Sequence, residues 1–113
     1  LNPDPNVLEI ELEARVENIE ILPGTTTAAW TYNGTVPGPM IRAKLGDRVI
    51  VHFKNSLPEA TTIHWHGVRV PNDMDGAPGV TQPPVESGAL PGVYRRHLFE
   101  SLWRFDFVAM ALN

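Results

Sequence analysis

An all-β sandwich is the fold class this sequence predicts, and three observations carry the prediction. The stretch Leu8 to Val16 alternates apolar and charged residues without a break; a β-branched run, Arg48 to Lys54, follows a Gly-Asp turn; and helical periodicity is almost absent elsewhere. Short strands punctuated by turn residues are the pattern of an antiparallel sandwich.

Leu8 to Val16 reads as a long strand with one face in the core and one in water. Its carboxylates Glu9, Glu11 and Glu13 line the outer face. A catalytic acid pair is conceivable there, but alternating polar residues are what a half-exposed strand requires, so a solvated face is the expectation. Pro23-Gly24 makes a turn, and threonines and aromatics then predict a second strand over about Thr26 to Tyr32. Tyr32-Asn33-Gly34 and Pro37-Gly38-Pro39 are turn chemistry without a reactive group, and regular structure is expected to resume over Met40 to Lys44. Gly46-Asp47 leads into Arg48 to Lys54, where Val49, Val51 and Phe53 share one face and Ile50 and His52 the other. Asn55-Ser56-Leu57-Pro58 ends that strand. From Pro71 to Pro91 the composition shifts to Pro, Gly, Asn and Asp, which predicts a long ordered loop or an extended arm.

A chain of 113 residues is one domain by length and buries about two thirds of its unfolded surface, enough for one modest core. Nine basic against thirteen acidic side chains give a net charge of −4 with no basic run, which excludes a nucleic-acid footprint. The longest apolar runs fall far short of a membrane span. Leu1 is not an initiator methionine and no signal-peptide order follows it, so the sequence is expected to be a mature protein, a trimmed one or a fragment. There is no cysteine. A blue-copper electron-transfer site, which needs a thiolate beside two histidines, cannot be built from this chain, and neither can a disulfide or a thiolate zinc site.

The segment Thr61-Thr62-Ile63-His64-Trp65-His66-Gly67 holds the chemistry. If Ile63 to Val68 is a strand, His64 and His66 project from one face about 6.6 Å apart while Trp65 points away. Two imidazoles so placed suit copper, zinc, iron or nickel, and the bland alternative is a pair of histidines on a polar strand face. His52 lacks a partner two residues on and reads as structural or surface. His97 follows Arg95 and Arg96, whose charges oppose a bound cation, and reads as exposed rather than as a third ligand. Asp73 and Asp75 with Gly76 begin like a calcium loop, but the later bidentate Glu is missing.

Several motifs stand in register: Tyr32-Asn33-Gly34-Thr35-Val36-Pro37-Gly38-Pro39-Met40-Ile41-Arg42, Gly46-Asp47-Arg48-Val49-Ile50-Val51, Asn55-Ser56-Leu57, the histidine segment, and Asp75-Gly76-Ala77-Pro78-Gly79-Val80-Thr81-Gln82. In order and spacing they closely resemble the first cupredoxin domain of multicopper oxidases, the family of laccases, copper-resistance oxidases and related cuproxidases. The resemblance covers roughly Trp30 to Gly88. It implies a cupredoxin-like Greek-key β-sandwich over residues 1–113 and copper as the cofactor. By it, His64 contributes to the type 2 copper and His66 to a type 3 copper of a trinuclear cluster that reduces dioxygen to water. It also implies a periplasmic or secreted location. The partners it implies are the remaining cupredoxin domains or a second subunit, where a type 1 copper takes electrons from a phenol, an amine or a metal ion. The Asp-Gly-x-Pro-x-x-Thr-Gln run would lie near the cluster and an interdomain face.

Residues 89–113 depart from the family pattern. A strand, an acidic-Gly turn and a second His-x-His normally follow at this place, whereas Arg95-Arg96-His97-Leu98-Phe99 holds no second histidine two residues away. The expected sandwich is therefore incomplete at its C-terminal end, and apolar side chains such as Phe99, Trp103, Phe105 and Phe107 favour self-association if nothing covers them. Two other readings remain: a cupredoxin-like copper-binding or interaction domain without redox work, and a mononuclear zinc hydrolase or lyase, which needs a third ligand.

Overall fold

A computed structural model of the chain describes residues 3–44, 46–88, 92–95 and 110–112. The expectations placed on His97 and on the side chains of Phe99, Trp103, Phe105 and Phe107 lie outside the described residues.

The described residues form six strands: β1 (Val7–Leu22), β2 (Thr25–Tyr32), β3 (Arg48–Ser56), β4 (Ile63–Trp65), β5 (Gly92–Arg95) and β6 (Met110–Leu112). They form a four-stranded sheet in the order β2-β1-β3-β5 and a two-stranded sheet of β4 and β6. The alternation that predicted a strand ends at Val16, yet β1 runs on to Leu22. Its second half pairs antiparallel with β2, from Ala14 opposite Tyr32 to Glu20 opposite Thr26. Gly24, with φ of 77°, turns the hairpin, and its amide donates to the Glu20 carboxylate.

The sandwich is not wholly antiparallel, as the sequence reading had it. β1 and β3 run parallel, in register from Val7 opposite Arg48 to Arg15 opposite Ser56. Parallel neighbours need a crossover of a dozen or more residues, and the segment between β2 and β3 supplies it. That crossover starts at Asn33, held in the left-handed region at φ 53°. Its side-chain oxygen accepts from the Glu13 amide and its side-chain nitrogen donates to the Glu11 carbonyl, which serves the edge of β1 where β2 has departed. Met40 to Lys44 forms no strand, against expectation. The Lys44 amide donates to the Asp47 carboxylate and the Asp47 amide returns to the Lys44 carbonyl, so these groups close the turn into β3 rather than a ladder.

Val49, Val51 and Phe53 are fully buried, as their spacing predicts, and join Leu12, Ala14, Tyr32, Ile41, Leu57, Ile63 and Trp65 in one core cluster. Ile63 and Trp65 come from β4, so the two sheets meet face to face across this cluster. Tyr32 and Phe53 pack with ring centroids 6.4 Å apart, and burial pushes the Tyr32 phenol up from its ordinary value. Phe53 alone contributes about 2–3 kcal/mol through its burial.

The outer face of β1 is paired rather than merely solvated. Glu9 meets His52 on β3, and Glu13 accepts from Ser56 Oγ and forms ion pairs with Lys54 and Arg15. The Ser56 hydroxyl and the Lys54 ammonium hold the Glu13 carboxyl down at about 2.

Candidate metal centre

The histidine segment is fastened at both ends before it reaches His64. Asn55, fully buried at the end of β3, donates through its side-chain nitrogen to the carbonyls of Glu59 and Val85, while its side-chain oxygen accepts from the Leu57 amide. Thr61 and Val85 then exchange backbone hydrogen bonds at 3.0 and 2.8 Å. This stitching sets the depth at which β4 enters the core.

Ile63 and Trp65 turn inward and are buried, so His64 between them faces outward, with its side chain 30% exposed. β4 ends at Trp65, short of the expected Val68. Gly67 adopts φ of 76°, which an extended strand cannot use, and the Val68 amide turns back to the Trp65 carbonyl. His66 therefore stands in the turn just beyond the strand, exposed. The two imidazoles still share one side of the segment, with ring centroids 5.9 Å apart and planes inclined by 36°.

His64 is oriented by the loop that follows. Its Nδ1 lies 2.6 Å from the carbonyl oxygen of Asp75 and 3.8 Å from the Asp75 carboxylate. A carbonyl oxygen accepts and never donates, so Nδ1 carries the hydrogen, and in the neutral ring Nε2 is the nitrogen with the lone pair a metal takes. The loop owes its course to a short 3₁₀ turn, Asn72–Met74, with the Met74 amide on the Pro71 carbonyl and the Asp75 amide on Asn72. Past Asp75, Thr81 closes a second turn by accepting from the Ala77 amide. The expected ordered loop is thus present over its described part, and its path serves the histidines.

Sequence reasoning named His64 and His66, and the structure brings them together. His52 lies on the outer face of the four-stranded sheet, bonded to Glu9, apart from this pair. Asp75 presents its backbone carbonyl to His64, and among the described residues no group of three or more His, Cys, Asp or Glu is arranged to hold a metal ion. Thr62 and Asn55 were missed as supports. Thr62 donates to the Gly76 carbonyl from full burial, but in sequence it was one more β-former. Two imidazoles on one side fit copper, zinc, iron or nickel, with the other coordination positions left to groups beyond this pair.

Comparisons with known proteins bear on which. The family model described as multicopper oxidase matches residues 13–95. Laccase-2 of Botryotinia fuckeliana is 52% identical over 77 residues, which is 65% of this chain and 13% of that protein. A copper resistance protein A homolog of Pseudomonas syringae pv. tomato is 48% identical over 58 residues, 51% of this chain and 10% of that protein. Among solved structures, a multi-copper oxidase from Pseudomonas thermotolerans superimposes with a TM-score of 0.76 at 44% identity, covering 83% of this chain and 22% of that one. A multicopper oxidase from Campylobacter jejuni, a metallo-oxidase, gives 0.74 at 40% identity, covering 88% and 20%. The sheets described above are accordingly a cupredoxin-like sandwich, and the chain spans about a tenth to an eighth of the curated relatives it matches.

Proposed function

Because the chain belongs to the multicopper oxidase family, we propose that His64 and His66 are its ligands to a trinuclear copper cluster, His64 at the type 2 position and His66 at a type 3 position. Copper held there would supply the four-electron reduction of dioxygen to two waters, with the four electrons and four protons delivered from outside this chain. The observation that carries this reading is the ring pair itself: two imidazoles 5.9 Å apart on one side of the segment formed by β4 and the turn after it, within the stretch that matches the family.

The chain's own part is to hold donors in place. Ile63 and Trp65 anchor β4 in the core, so His64 cannot rotate inward, and the Asp75 carbonyl fixes its ring with Nε2 outward. His66, exposed in the turn, faces whatever completes the site. With no cysteine, the chain offers no type 1 site, so electrons must arrive through another part of the assembly. The partners in this reading are further cupredoxin domains or a second subunit. The same reading places the protein in the periplasm or outside the cell.

Metal analysis of the protein purified without added metal tests the assignment. Copper that is lost in the double variant His64→Ala, His66→Ala supports it. Zinc in place of copper, or copper retained by the double variant, overturns it.

A further inference from the structure

Gly76 is buried, with φ of 78°, and its backbone is pressed onto the backbone of β4. A Cβ at this position would stand 1.8 Å from the carbonyl oxygen of Ile63, 2.5 Å from its carbonyl carbon and 3.0 Å from the His64 Cα. Those atoms belong to a strand in the core and cannot move aside, so both the space and the dihedral demand glycine. Thr62, fully buried one residue before β4, donates its hydroxyl to the Gly76 carbonyl. The loop is therefore held from one side by backbone contact and from the other by a hydrogen bond. The residue before Gly76 is Asp75, whose carbonyl oxygen reaches His64 Nδ1 at 2.6 Å.

We infer that Thr62 and Gly76 are positioning residues: they fix the Asp75 carbonyl on Nδ1 of His64 and so select the tautomer that offers Nε2 to a metal. Without that carbonyl both neutral tautomers are open to the ring. The Nε2–H form would turn a hydrogen toward the metal position and would have to exchange it before ligation. Neither residue is offered as a ligand, and both act through one backbone carbonyl. The inference rests on the proposed role of His64 as a ligand, but the tautomer itself does not depend on copper.

The test uses the metal-free chain with ¹⁵N-labelled histidine, observed through long-range ¹H–¹⁵N correlations at about pH 8.5, above the ordinary imidazole range. In the wild type, His64 is expected as a single Nδ1–H tautomer. Thr62→Val, which removes the hydroxyl while keeping the branched shape, is expected to give a mixed tautomer at His64 with the amide spectrum of the core unchanged, and Thr62→Ser to restore the wild-type pattern. Gly76→Ala should mix the tautomers more strongly and also shift the amides around Ile63, and Thr62→Val keeps the test open if that variant does not fold. Cu(II) titration of the same proteins is expected to show binding weakened about two- to fivefold in Thr62→Val, the inverse of the fraction of rings left in the competent tautomer. A wild-type His64 in the Nε2–H form, or a Thr62→Val variant with the wild-type tautomer, overturns the inference. If the tautomers behave as expected but no variant binds copper, the positioning role stands and the copper reading falls. Copper bound through His64 with the tautomer unfixed sinks the positioning role alone.

Discussion

The side-chain amide of Asn55 reaches the carbonyl oxygen of Val85 at 2.8 Å, tying the end of β3 to the segment that brackets Thr61. The same side chain serves the Glu59 carbonyl and the Leu57 amide. Asn55→Ala removes three hydrogen bonds from a site without exposure, and each buried polar group left unpaired costs about 1–3 kcal/mol. The Val85 carbonyl keeps the Thr61 amide, so two groups are left unpaired, and the variant is expected to lose about 2–6 kcal/mol in denaturant unfolding and to exchange its Leu57 amide faster. An unchanged midpoint and unchanged exchange would show that the stitching does not set the position of β4.

The core ends part-way along the hairpin, between Ala14, which is buried, and Val16, which is 45% exposed on the same face. Phe53→Ala is expected to cost about 3–5 kcal/mol, whereas Val16→Ala should stay within about 1 kcal/mol. Comparable losses at the two positions, measured by urea melts, would mean that the cluster extends into the hairpin.

Glu13 gives the fold an acid-sensitive contact. Its carboxyl is lowered from 4.5 to about 2 by the Ser56 hydroxyl first and Lys54 next. Because the folded value lies below the unfolded one, the stabilisation is complete above about pH 4.5 and is lost as the pH falls toward about 2. Ser56→Ala should raise the Glu13 titration midpoint, seen by carboxyl NMR. The variant is expected to be less stable than wild type at pH 6, with the difference vanishing near pH 2. A difference that persists undiminished in acid would assign it to something other than this carboxylate.

Much of this was legible from periodicity, and the limits of periodicity account for the rest. Alternation marked Val49, Val51 and Phe53 as inward because strand side chains repeat every two residues. It could not tell which strand lies next to which, so the parallel pairing of β1 and β3 and the Glu9–His52 contact stayed hidden. The histidine pair was visible because side-chain identity carries it. The early end of β4 was not, although Gly67 supplied a cue that its φ of 76° explains. The motif around Asp75 points to its carboxylate, but its nearest contact to His64 is made by a backbone carbonyl, a group every residue owns and no motif advertises. Gly76 belongs to a recognisable motif, yet its close approach to Ile63 emerges from packing alone.

Turnover should be absent from this chain by itself. With no cysteine for a type 1 site and one His-x-His pair, no oxygen uptake is expected with phenolic or diamine substrates, even with copper added. An oxygen electrode checks this, and consumption that survives removal of contaminating oxidases would mean that the chain assembles more of a cluster than His64 and His66.

The central claim is that His64 and His66 bind copper together. Cu(II) titration followed by electron paramagnetic resonance tests it most directly. The account predicts weak binding with nitrogen coupling from two imidazoles, no intense blue absorption because no thiolate is present, and loss of the signal in the His64→Ala, His66→Ala double variant. The same copper signal in that double variant would contradict it.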